Sequence, residues 1–120
     1  VSRVQVREIP RGQQLLVDGA VVHSLPADFS YFKKWLMQFD LVGKRVLMGG
    51  LGFGCDALHC VSQGAQSVTV VELVPEVIDL FEPHPLINVV CADWNTYVID
   101  YDMYDLVIYS IDDYKVLERK

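Results

Sequence analysis

VLMGGLGFGCDALHC, residues 46–60, sets four glycines into positions 49–54, between an apolar run and a segment with helical spacing. RVLMG (45–49) reads as a strand covered on both faces, because a strand with one wet face alternates apolar and polar residues and this one does not. CDALHCVSQG (55–64) reads as a helix stopped by Gly64. The rest of the chain repeats that rhythm. SVTVVEL (67–73) is a second buried strand, PEVIDLF (75–81) a short helix with Pro75 in its first turn, INVVCAD (87–93) a third strand and YDLVIYS (104–110) a fourth. Four such strands joined by crossovers call for an open parallel sheet in an α/β fold. Residues 95–103 form a polar loop or a stunted helix, and residues 111–120 suffice for a charged turn and a helical stub. The fourth strand is then an apolar sheet edge unless something covers it, and such an edge invites a second copy of the chain.

Ahead of this lies VQVREIPRGQQLLVDGAVVHSL (4–25), where Asp18-Gly19 between two β-forming runs signals a two-residue hairpin. A small antiparallel hairpin or meander is expected over 4–24, with residues 1–27 forming this N-terminal unit and 28–120 the α/β unit. Phe32, Trp35, Leu36 and Phe39 recur at three- and four-residue intervals, predicting a helix with one buried face that Asp28 or Ser30 caps.

The 120 residues hold 16 acidic against 10 basic side chains, a net charge of -6, so the surface suits nucleic acid poorly. The basic pairs Lys33-Lys34 and Lys44-Arg45 read as a solvated helix face and a strand entry. No apolar run reaches the roughly 18 residues a membrane helix needs, and no membrane partner is expected. Cys55, Cys60 and Cys91 lack CxxC spacing and are odd in number, so they read as small buried apolar residues of a reducing compartment, the cytoplasm. The chain begins at Val1 without an initiator Met, as a fragment or a processed form does. His59 stands four residues from Cys55 with no further ligand near in sequence, so no metal site is expected.

Gly50, Gly52 and Gly54 form a GxGxG series at the end of the first buried strand, where glycine admits positive φ and lets a ligand approach the main chain. Glu72 ends the second strand, where a carboxylate faces the same sheet edge and can accept hydrogen bonds from both hydroxyls of a ribose. Asp93 ends the third and can receive the amino group of an adenine, with Ala92 leaving its amide accessible. Trp94 either stacks near the base or covers the core. Together these residues favour a purine nucleoside; NAD is second choice, since the small residues that complete a pyrophosphate fingerprint are missing. Asp100, Asp102, Asp105, Asp112, Asp113 and Glu118 read as a solvated acidic rim, although Asp112 and Asp113 lie on the productive edge and suit a cationic substrate.

On these motifs the chain resembles the S-adenosylmethionine-dependent methyltransferase superfamily and, within it, the spermidine synthase (polyamine aminopropyltransferase) group. RVLMGGLGFG is similar to the first motif, VTVVELVPEVIDL to the segment with the acidic ribose ligand, VVCADW to the adenine segment and YDLVIYSIDD to the end of the fourth strand. LLVDGAVVHS followed by DFSYFKKWL is similar to the N-terminal hairpin and its Asp-Phe-x-Tyr helix start. The resemblance implies a Rossmann-like methyltransferase fold with strand order 3-2-1-4 and S-adenosylmethionine or a related adenosyl nucleoside as cofactor. It implies that Gly50, Gly52 and Gly54 line the methionine and ribose part, that Glu72 and Leu73 flank the ribose, and that Ala92, Asp93, Trp94 and Ser110 complete the adenosyl site. Tyr31, Asp112 and Asp113 would serve a small-molecule amine. The chain also departs from the pattern. Ser110 stands where aminopropyl transferases carry an aspartate, and a serine does not replace a carboxylate that attracts a cationic amine and takes its proton. Phe32 stands where a polar substrate contact is usual, and the family's strands beyond the fourth are missing. Two functions stay open: group transfer from a sulfonium to a small amine, or an inactive homologue acting as a binding or assembly module.

Overall fold

The computed structural model describes residues 3–10, 12–25, 38–109 and 115–118, and the chain divides into two units, Val1–Phe39 and Asp40–Lys120. In the first, β1 (Val4–Ile9), β2 (Gly12–Val17) and β3 (Ala20–Leu25) form an antiparallel meander in that order. Asp18 and Gly19 make the β2–β3 turn with φ of 52° and 83°, the positive pair that a two-residue hairpin demands. The Asp18 side chain also accepts a hydrogen bond from the Arg3 amide at 2.8 Å, and the Asp18 amide donates to the Arg3 carbonyl at 2.8 Å. The helix expected over 28–39 falls, at 28–37, outside the described residues.

The second unit holds a five-stranded sheet in the order β6-β5-β4-β7-β8. Its strands are β4 (Arg45–Gly49), β5 (Ser67–Glu72), β6 (Ile87–Cys91), β7 (Leu106–Tyr109) and β8 (Lys115–Glu118), the first four parallel. Counted by the parallel strands alone, this is the expected 3-2-1-4 order. Helix α1 (Cys55–Ser62) links β4 to β5, and α2 (Pro75–Asp79), with Pro75 at its start, links β5 to β6. Gly64, at φ 93°, ends α1 in a Schellman motif: its amide donates to the Val61 carbonyl at 3.0 Å and that of Ala65 to Cys60 at 3.1 Å.

Right-handed crossovers place α1 and α2 on one face of the sheet and the β6–β7 connection on the other. Val46, Met48, Val68, Val70, Leu106 and Ile108 alternate onto the first face and are buried. On the second, Leu47, Val71 and Val107 pack with Tyr104 beneath Ala92, Trp94, Tyr97 and Ile99. The β6–β7 connection is thus no full helix; only Tyr101–Met103 forms a 3-10 turn, and aromatic rings cover this face instead. No described helix is long and apolar enough to cross a membrane.

Two expectations about the C-terminal end do not hold. Residues 115–118 are not helical: β8 pairs antiparallel with β7, Leu106 opposite Glu118 through Tyr109 opposite Lys115. The fourth parallel strand is therefore paired on both sides, because β8 uses the backbone groups that an edge would have offered to a second copy. Asp105 also leaves the expected acidic rim. It sits at the start of β7, accepts from the Arg45 amide at 2.8 Å, and pairs with the Arg45 guanidinium at 3.2 Å. Its own amide donates to the Arg45 carbonyl at 2.8 Å, so the pair fixes the register in which β4 and β7 begin.

Hydrogen bonds from Arg45 hold the Asp105 carboxyl below the ordinary carboxylate range. The stabilisation from such a group is present above the unfolded-state pKa and is lost as pH falls through the lower folded value. Asp105→Asn is accordingly expected to lower the Tm at pH 7, and the gap to wild type to shrink as thermal melts are taken below about pH 4.

Candidate functional site

The strand order reverses between β4 and β7, and in open parallel sheets ligands bind at the carboxyl ends of the strands beside such a switch point. The chain brings the glycine loop, Glu72, Leu73 and the Ala92–Asp93 pair to that edge, at the ends of β4, β5 and β6. Main-chain hydrogen bonds hold the three ends together: the Gly50 amide donates to the Val71 carbonyl at 2.9 Å and that of Ala92 to the Glu72 carbonyl at 3.0 Å.

Gly50, Gly52 and Gly54 have φ of 92°, 56° and 84°, so this turn between β4 and α1 runs on left-handed residues that a side chain would strain. Gly49 is required for a different reason. A Cβ there would come within 2.8 Å of Trp94 Cε3, so the indole lies flat against the last residue of β4. Trp94 thereby joins the cover of the core.

The Glu72 carboxylate is already engaged. Oε1 accepts from the Leu51 amide at 3.0 Å and Oε2 from the Val74 amide at 3.0 Å, which ties the glycine loop to the β5–α2 turn. A carboxylate offers about four acceptor positions, so both oxygens keep capacity for further donors. Beside it Leu73 leaves 61% of its surface in solvent, an apolar side chain presented rather than buried. On the next strand end, Asp93 Oδ1 accepts from the Asn95 amide at 2.9 Å, and the Asp93 carbonyl accepts from Thr96 and Tyr97 at 3.1 and 2.9 Å. These bonds fold residues 93–97 into a tight turn that carries the carboxylate at the strand end. Tyr31, Ser110, Asp112 and Asp113 lie outside the described residues.

Behind the loop, the first turn of α1 carries Asp56. Burial pushes its carboxyl up to about 6, and burial together with the charge of Asp56 pushes the Cys60 thiol up to about 12. Cys60 is thus the inert buried residue expected, whereas Cys91 is exposed at the end of β6, with Sγ 3.8 Å from the Leu73 carbonyl. Among the described residues no three His, Cys, Asp or Glu side chains converge on a metal position.

Sequence reasoning missed Leu51, Val74 and Phe81. The first two act through their amides, which every residue carries. The ring of Phe81 fills the space next to Gly54, although its sequence signal is only that of an apolar residue ending a short helix.

No protein-family model matches the sequence, and no curated protein matches it. Solved structures do. The chain is similar to spermidine synthase from Thermotoga maritima, with a TM-score of 0.74 at 21% identity over 94% of this chain and 45% of that one. It is similar to a spermidine synthase in complex with the transition state analogue AdoDATO, with a TM-score of 0.73 at 20% identity over 91% of this chain and 44% of that one. A third likeness is to an S-adenosylmethionine-dependent methyltransferase from Mesorhizobium loti, with a TM-score of 0.62 at 21% identity over 72% of this chain and 41% of that one. The fold is that of the methyltransferases and spermidine synthases. This chain spans less than half the length of each of these structures.

Two measurements check the site's construction. Gly49→Ala forces a methyl group into the Trp94 ring and is expected to cost about 1–3 kcal/mol in urea unfolding, as overpacking does. The raised pKa of Asp56 stabilises the fold below the unfolded value near 4, and that contribution is lost as pH rises through about 6. Asp56→Asn is therefore expected to gain stability relative to wild type across that interval, by on the order of 1–3 kcal/mol at pH 7.

Proposed function

We propose that this chain binds S-adenosylmethionine or a related adenosyl nucleoside across the carboxyl ends of β4, β5 and β6. The observation that carries the reading is Glu72: a carboxylate at a strand end, positioned by amides from two loops, with acceptor capacity left over. Glu72 would take the two ribose hydroxyls, Leu73 would lie against the sugar and base, and Ala92 and Asp93 would meet the adenine. Gly50 and Gly52 would face the part of the ligand beyond the ribose. Gly54 and Trp94, which the resemblance also assigns to the cofactor, would serve it by shaping the loop and its floor. The donor set fits: two carboxylates suit hydroxyl and amino donors, and a loop without charged side chains admits a zwitterionic or cationic chain.

When bound, S-adenosylmethionine supplies an electrophilic carbon on a sulfonium. In-line displacement at such a carbon depends heavily on alignment, which a preset loop and strand edge supply. The substrate of that transfer would be a small amine, in a cytoplasmic setting, with Tyr31, Asp112 and Asp113 as its contacts. One sequence feature favours a second reading, binding without turnover: Ser110 follows Tyr109 at the sequence position where the resemblance expects an aminopropyl transferase's carboxylate.

Isothermal titration of S-adenosylmethionine into the purified chain is expected to show saturable binding in the micromolar range. Glu72→Ala is expected to weaken it by roughly tenfold or more, since hydrogen bonds to a charged acceptor contribute about 1.5–3 kcal/mol. Absence of both heat and ligand-induced thermal shift in the wild type overturns the reading.

A further inference from the structure

The glycine loop is held from outside by a side chain that the adenosyl reading does not use. Gly54 closes a turn, its amide donating to the Leu51 carbonyl at 2.8 Å, and then starts α1, its carbonyl accepting from the Leu58 amide at 2.9 Å. Against this residue sits the ring of Phe81. A Cβ built on Gly54 would lie 2.5 Å from Phe81 Cδ1 and 3.4 Å from Cζ, so the ring edge occupies the volume that any side chain at 54 would need. The ring is not carried on a loose loop. The Phe81 amide donates to the Ile78 carbonyl at 3.0 Å, and that of Leu80 to Val77 at 3.2 Å, so its backbone continues the last turn of α2.

Three side chains therefore pin the path of residues 50–53. Trp94 lies against Gly49 before it, the Glu72 carboxylate holds Leu51 within it, and Phe81 blocks Gly54 after it. The first two pins come from the strand ends themselves. Phe81 alone comes from the helical layer, and without its ring the Leu51–Gly54 turn gains room to move toward α2.

We infer that Phe81 is a positioning residue: it fixes the glycine loop, and so sets the affinity for the part of the ligand that lies beyond the nucleoside, without touching the ligand. This inference rests on the adenosyl reading above. It separates two halves of one site, because Leu73, Ala92 and Asp93 belong to ends of the sheet that do not depend on the ring and Glu72 keeps its second oxygen on the Val74 amide, whereas Gly50–Phe53 do depend on it. A ring that only supported the fold would affect both halves alike.

The test is a pair of titrations, S-adenosylhomocysteine against 5′-methylthioadenosine, which keeps the nucleoside and drops the amino-acid chain. Phe81→Ala is expected to weaken the first by about tenfold, the scale on which lost preorganisation shows in binding. Binding of the second should stay within about twofold, as for well-separated sites. Phe81→Tyr, which keeps the ring, should restore wild-type binding of both. Should Phe81→Ala not fold, Phe81→Leu is expected to show the same split at smaller size. Equal loss of both ligands, or wild-type binding of both by Phe81→Ala and Phe81→Leu, overturns the inference. A wild-type chain that binds 5′-methylthioadenosine and S-adenosylhomocysteine while Phe81→Ala shows no split sinks only the positioning role; one that binds neither ligand overturns the adenosyl reading and this inference with it.

Discussion

Two hydrogen bonds from backbone amides to one side chain organise the carboxyl edge of the sheet: Leu51 to Glu72 Oε1 and Val74 to Glu72 Oε2, each 3.0 Å. They join loops that the parallel register alone leaves independent. The loop after β4 must turn within five residues from a buried strand into α1, and it does so on positive-φ glycines with little side-chain packing of their own. A charged acceptor in its middle substitutes for that packing. The carboxylate in turn gains two amide donors at a partly covered strand end.

The core is built so that this edge stays open. Helices α1 and α2 cover one face of the sheet, and the other is closed by Trp94, Tyr97, Ile99 and Tyr104 rather than by a crossover helix of full length. Aromatic rings cover much area per residue, which lets the connection of residues 92–105 do the work of a helix. The Arg45–Asp105 pair, at the opposite end of β4 and β7, sets where those strands begin and therefore where their carboxyl ends stop.

The proposed reading is binding of an adenosyl nucleoside first and a transfer reaction only second. Of the residues proposed to meet the nucleoside, all but Ser110 lie among the described residues, whereas Tyr31, Asp112 and Asp113, proposed to meet the second substrate, do not. The spermidine synthase likeness covers most of this chain but under half of those enzymes. β8 changes the picture of assembly: by pairing with β7 it removes the edge on which association of two copies had been expected.

The sequence by itself determined the strands β4 to β7 and the helices between the first three of them, the Asp18-Gly19 turn and the capping of α1 by Gly64. Each of these follows from local backbone preference or from an uninterrupted apolar run, which neighbours in sequence suffice to fix. The placing of Gly50, Gly52 and Glu72 on one edge was legible too, because strand ends are countable from pattern. Only the tertiary structure decided how those residues are used. It gave Gly49 to Trp94 and Gly54 to Phe81, engaged both oxygens of Glu72 with amides, took Asp105 out of the acidic rim into an ion pair, and turned 115–118 from helix to strand. All of these are pairings between segments remote in the chain, and a residue's chemistry does not say which remote backbone group or ring will meet it until the sheet has brought the two together.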